Sequence, residues 1–139
     1  MQYELTEEQV LLRDMVRKLA KEKIAPGAAV RDQKGEFSWE TVELIRESGL
    51  FGVDFPEEHG GTAFDTVSIC LVMEEIARVC ASTAVTVSVH NSASAAPIVR
   101  FGTPEQKQRH LPRMARGEII GGFALTEPGC GSDAAAIKT

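Results

Sequence analysis

The residues with the most chemical potential in this chain run from Phe123 to Asp133: Phe123-Ala124-Leu125-Thr126-Glu127-Pro128-Gly129-Cys130-Gly131-Ser132-Asp133. The apolar run Ile119–Leu125, thinned by Gly121 and Gly122, reads as a strand. Pro128 lacks an amide hydrogen and holds its own φ, so it resists continuation of a ladder. Gly129 and Gly131 can adopt positive φ and let another group approach the backbone. Thr126 and Ser132 put hydroxyls at either end of the turn. A strand end with bare amides, small side chains and two hydroxyls suits a flat polar ligand or a phosphate. Spacing alone favours an ordinary strand closed by a Gly/Pro turn.

Gly129-Cys130-Gly131-Ser132-Asp133-Ala134 also fits the loose G-x-G-x-x-A dinucleotide pattern. That pattern needs a strand before it, a helix after it and an acidic residue about 20 positions on. Glu127 and Pro128 intervene, and the sequence runs only to Thr139, so the nucleotide reading is weak. Elsewhere, His90 and Asn91 lie among small and apolar residues, where a lone histidine is usually a hydrogen-bonded structural residue. Glu57 and Glu58 read as solvated loop carboxylates. Arg100, Lys107, Arg109, Arg113 and Arg116 read as a solvated basic face. Cys70, Cys80 and Cys130 are too scattered for a metal site or a disulfide framework. A reducing compartment is expected, with Cys70 and Cys80 as buried thiols.

The motif Phe123–Asp133 resembles the flavin-binding signature of the acyl-CoA dehydrogenase family, roughly aromatic-x-x-Thr-Glu-Pro-x-x-Gly-Ser-Asp. Further stretches follow in family order. They are Gly52-Val53-Asp54-Phe55-Pro56-Glu57-Glu58-His59-Gly60-Gly61-Thr62, Met73-Glu74-Glu75-Ile76-Ala77-Arg78, Ser88-Val89-His90-Asn91-Ser92 and Phe101-Gly102-Thr103-Pro104-Glu105-Gln106-Lys107. The resemblance, of the short- or branched-chain kind, runs from about Leu5 to Thr139. It implies an N-terminal helical domain over 1–118 and the start of a middle β domain over 119–139. The activity it implies is α,β-dehydrogenation of acyl-CoA thioesters with FAD, in fatty acid or branched amino acid catabolism. The expected partners are an acyl-CoA and an electron-transferring flavoprotein, with a homodimer or homotetramer at full length. Phe123, Leu125, Thr126, Gly131 and Ser132 are implied as cofactor-binding, and Ser132 also as substrate-binding. Neither Glu127 nor Asp133 is assigned as the base, which the resemblance places in a C-terminal domain. This stretch alone is therefore expected to be inactive. A non-catalytic helical interaction module that keeps the family sequence is the alternative. Bacterial cytoplasm, or the mitochondrial matrix for a processed eukaryotic form, is the implied location.

The elements that must position this motif are legible as helices. A chain of 139 residues, 43% hydrophobic and 25% charged, fits one globular domain. A net charge of −5 and 6% aromatic residues argue against a nucleic-acid partner. The acidic segment Met1–Glu8 matches neither a signal nor a transit peptide, and no apolar run reaches membrane-spanning length. Thr6 and Gln9 form a capping-box pattern opening a helix, with Pro26 and Gly27 ending or kinking it and Ala25–Arg31 continuing it. Ser38 caps a helix over Trp39–Glu47, closed by Gly49, with Trp39, Val42 and Ile45 on a buried side. Asp65 caps the most apolar helix, Thr66–Cys80, whose Glu74, Glu75 and Arg78 mark an exposed strip or an ion pair near its end. Val85, Val87 and Val89 alternate as in a strand, but the family resemblance implies one helix over Thr83–Ala95, with Ser82 as a candidate cap. Pro97–Phe101 adds a helical turn, and Thr103–Gln106 is a second capping box. The expected fold is all-α, an orthogonal or up-down bundle of five or six helices that delivers the first strand of a β domain.

Overall fold

The computed structural model describes residues 4–139, so Met1, Gln2 and Tyr3 of the acidic N-terminal segment lie outside it. Helix α1 spans Glu7–Leu19, α2 Ala25–Lys34, α3 Trp39–Glu47, α4 Thr66–Ala77, α5 Ala81–Ser88, α6 Ala96–Phe101 and α7 Pro104–Ala115. A π-helical stretch, Ala20–Ile24, joins α1 to α2, and a second, Val89–Ala95, joins α5 to α6. The described residues thus form five continuous helical rods, in agreement with the expected all-α bundle. None is long and apolar enough to cross a membrane.

Local chemistry explains where most rods begin. The Thr6 hydroxyl accepts from the Gln9 amide while the Gln9 side chain accepts from the Thr6 amide, and Thr103 and Gln106 repeat the arrangement on α7. Ser38 and Asp65 cap α3 and α4 through the amides of Thr41 and Ser68. Helix α5 differs: Cys80, not Ser82, holds the cap position, and no side chain caps it. Pro26 does not end the first rod. It sits in the first turn of α2, where an amide hydrogen is not needed.

Val16, Ala20, Ile24, Ile45, Leu50, Phe51, Val53, Val72, Ile76, Ala84 and Val87 make one apolar core between α1, α3, α4 and α5. A smaller cluster of Phe55, Ala95, Leu111, Met114 and Ala115, flanked by Ile119, packs α7 against the second π-helical stretch.

Three side chains depart from the sequence expectation. Trp39 stands 69% exposed, its ring edge-on to Phe37 at 5.0 Å, while Thr41 and Ile45 take the buried side of α3. Helix α4 stops at Ala77, so the Thr66–Cys80 helix is three residues too long. Cys70 is exposed and Cys80 half-buried. Burial raises the Cys80 thiol, but contacts from Ser82, Thr83 and Arg31 outweigh it and bring the pKa down to about 7. Glu75 is buried at 3% exposure, so the ion-pair alternative holds for it rather than the exposed strip: Arg17 of α1 grips it through Nε at 2.9 Å and Nη2 at 2.7 Å, and Arg78 pairs with Glu74 beside it.

The alternating valines proved helical. Thr83, Ala84 and Val87 are buried and Val85 is 58% exposed, a helical rather than a two-residue period. The expected strand over Ile119–Leu125 forms no ladder, because no second strand lies beside it among the described residues. The one bridge is between Glu127 and Cys130.

Candidate functional site

The segment after α7 is held to the bundle at its base and free at its tip. Gly117, with φ +63°, turns the chain off the helix, and Arg113 and Arg116 both reach the Glu118 carboxylate. Those two members of the basic cluster are thus paired across the turn; Arg100 and Arg109 are exposed. Ile119 packs on the Phe55–Leu111–Met114 cluster, and Ile120 on the main core. Gly121 lies so close to the second π-helical stretch that a Cβ there would fall 2.0 Å from Ser94 Oγ. Its amide donates to His90 Nδ1 at 3.0 Å.

Beyond Gly121 the chain leaves the bundle. Phe123 is 58% exposed and Leu125 41%, and Thr126 is exposed with them. The backbone amides and carbonyls of Gly122–Thr126 make no hydrogen bond within the described residues. Pro128 and Gly129 form a tight turn closed by Glu127 N to Cys130 O at 2.9 Å and by the return bond at 3.1 Å. Gly129 and Gly131 do not adopt positive φ. Their contribution is space: nothing lies within 4 Å of a Cβ placed on Gly129, and one on Gly131 would meet only Thr126, at 3.5 Å. The turn therefore brings Thr126 and Gly131 together, with the exposed Ser132 next in sequence.

Glu127 is not free for proton transfer. Its carboxylate accepts the amides of Lys138 at 3.1 Å and Thr139 at 3.0 Å together with the Thr139 hydroxyl. The hydroxyl and the two amides hold its pKa below the ordinary carboxylate value. After Asp133 only a single 3-10 turn, Ala134–Ala136, follows. The G-x-G-x-x-A match thus lies in no strand–helix unit.

His90 and Asn91, adjacent and both buried, carry the polar contacts that hold this region together. Asn91 Oδ1 accepts the Gly52 amide at 3.2 Å, and its Nδ2 lies 3.5 Å from Leu50 O. His90 Nε2 lies 3.1 Å from Met114 O. Both residues lie in a π-helical stretch, a rare arrangement that recurs at functional sites. The sequence marks His90 as a structural residue but does not show its contact with Gly121. The available signal was a His-Asn pair within an otherwise small and apolar helix.

A separate half-open cavity of about 300 Å³ lies between α3, α5 and the loop after α2, lined in part by Phe37, Thr41, Ile45, Phe51, Thr83 and Val87. It shares no lining residue with the Phe123–Ser132 segment.

An exposed apolar and hydroxyl-bearing edge with unpaired backbone groups fits one side of a large, flat, polar-rimmed cofactor. Residues 6–118 match the family model described as acyl-CoA dehydrogenase, N-terminal domain. The chain is 47% identical to a probable acyl-CoA dehydrogenase of Bacillus subtilis over 139 residues, all of this chain and 37% of that protein. Butyryl-CoA dehydrogenase from Megasphaera elsdenii superposes with a TM-score of 0.91 at 34% identity, covering 100% of this chain and 37% of that one. An acyl-CoA dehydrogenase from Bacillus anthracis, solved in complex with FAD, gives a TM-score of 0.85 at 34% identity, covering 97% and 23% respectively. The chain thus spans about a third of the length of the curated relatives it matches.

Proposed function

This chain belongs to the acyl-CoA dehydrogenase family, and on that premise we propose that it is the N-terminal part of an FAD-dependent enzyme that forms the α,β double bond of an acyl-CoA thioester. Residues 1–118 are its helical domain, and 119–139 open a β domain that carries one edge of the cofactor site. The observation that carries this reading is the free edge itself: Phe123 and Leu125 exposed, backbone groups unpaired from Gly122 to Thr126, and an open turn that sets Thr126 beside Gly131.

In this reading Phe123 and Leu125 cover apolar cofactor surface, while the backbone of that edge and the Thr126 hydroxyl meet polar atoms. Gly131 leaves room where cofactor and thioester come together, and Ser132 offers its hydroxyl to the substrate. FAD, when bound, supplies acceptance of the hydride from the β-carbon. Glu127 acts as a clasp, because a carboxylate already accepting four hydrogen bonds, with its pKa lowered by them, is a poor proton acceptor. The α-proton goes to a carboxylate outside these 139 residues. A short or branched acyl-CoA is the proposed substrate, supported by the likeness to butyryl-CoA dehydrogenase. An electron-transferring flavoprotein as acceptor and a dimeric or tetrameric assembly follow from the family resemblance.

The test is Thr126→Ala in the full-length protein. It should weaken FAD binding or slow flavin reduction by butyryl-CoA while leaving the helical circular-dichroism signal intact. An unaffected variant would remove Thr126 from the site.

A further inference from the structure

His90 is fully buried, and both of its ring nitrogens are engaged. The Gly121 amide can only donate, so Nδ1 must present a lone pair; the Met114 carbonyl can only accept, so Nε2 must carry the proton. Phe51 meets the ring edge-on at 4.7 Å, and Phe55 stacks on it at 6.1 Å. Burial lowers the ring's pKa from its ordinary 6.5, so the neutral tautomer this geometry demands is the stable one at neutral pH. One side chain of the second π-helical stretch therefore bridges the last turn of α7 to Gly121, two residues before Phe123.

Resting on the function proposed above, we propose that His90 is a positioning residue for the cofactor-binding edge: through Nδ1 it sets where the Gly122–Thr126 backbone leaves the helical domain. Three features make that bond more than ordinary packing. Gly121 is the last residue of the segment tied to the bundle by a backbone hydrogen bond before the free edge begins. The close approach of Gly121 to Ser94 leaves the segment no slack on that side. The same imidazole is braced by Met114 and two aromatic rings, so it cannot follow the segment if the segment moves.

The test separates the two ring nitrogens in the full-length protein. In His90→Asn, Oδ1 takes the place of Nδ1 and keeps the acceptor for Gly121. In His90→Gln, Nε2 takes the place of the ring Nε2 and keeps the donor to Met114 but loses that acceptor. FAD affinity and hydrogen exchange at the Gly121 amide are read in both. His90→Gln should raise the Kd for FAD about tenfold, the equivalent of one hydrogen bond, and speed Gly121 exchange by a similar factor. His90→Asn should stay near wild type in both. A purely structural histidine would lower the melting temperature in either variant and leave FAD affinity alike in the two, which overturns the proposal. Unchanged Gly121 exchange in His90→Gln overturns it as well. If His90→Gln does not fold, Gly121→Ala should displace the edge and weaken FAD, and adding Ser94→Gly should restore it; no loss, or no restoration, counts against the proposal. A wild-type protein that takes up no FAD refutes the cofactor reading itself, and Gly121 exchange then decides alone whether His90 holds the segment.

Discussion

Replacing Asn91 by alanine probes the hinge between the helical rods and the 50–55 loop. Gly52 is buried with φ +79°, and its amide has Asn91 Oδ1 as its one partner among the described residues, at 3.2 Å. The second contact, to Leu50 O at 3.5 Å, is at the limit of a hydrogen bond and counts for little. Alanine leaves the Gly52 amide without an acceptor in a place where its own backbone cannot turn away. A Cβ on Gly52 would already lie 2.8 Å from the Ala115 backbone, so the loop has no room to shift toward α7. An orphaned buried donor costs about 1–3 kcal/mol, and the small void left by the amide group moves the total toward about 2–3 kcal/mol. For 139 residues the unfolding entropy is about 0.3 kcal/mol/K, so the melting temperature should fall by about 7–10 °C. Calorimetry on the 139-residue chain measures this, and hydrogen exchange at the Gly52 amide locates it. A fall of under about 2 °C, with Gly52 still protected, would refute the reasoning, because it would mean that the amide finds another acceptor.

Glu75 predicts an acid limb. The Arg17 hydrogen bonds hold its carboxyl below its ordinary value of 4.5, so the stability it lends is complete above that pH and is lost as the pH falls through the lower folded value. Melting temperature against pH should therefore drop steeply below about 4.5, and Glu75→Gln should flatten that part of the curve; an unchanged slope would assign the acid limb to other carboxylates. Gly61→Ala should destabilise by about 1–3 kcal/mol, since its Cβ would fall 2.2 Å from the Phe55 carbonyl oxygen, which chemical denaturation would detect.

Helix starts were legible because caps are local: Thr6, Ser38, Asp65 and Thr103 each bond an amide three residues away, a distance the sequence itself contains. The Phe123–Asp133 motif was legible as a family signature for the same reason of contiguity. Burial was less so. Trp39 has the size and position of a core residue, yet Thr41 and Ile45 face inward, because the angle of α3 against its neighbours is a tertiary property. The sequence leaves Glu75 as surface or ion pair, because its partner Arg17 lies 58 residues earlier. The segment Ile119–Leu125 shows a limit of another kind: β propensity describes a residue's fit to a ladder, and no ladder partner lies beside this segment among the described residues. The His90–Gly121 contact spans 31 residues and depends on a π-helical offset that no single-residue preference announces.

Phe123–Ser132 is the proposed edge of the flavin site. Anaerobic titration of the FAD-loaded full-length protein with butyryl-CoA, followed by the visible absorbance of the flavin, tests it most directly. The oxidised flavin band should bleach in the wild type, with weakened FAD retention or slower bleaching in Thr126→Ala. A protein that binds no FAD, or whose flavin no acyl-CoA of a short, branched and long panel can reduce, would contradict it.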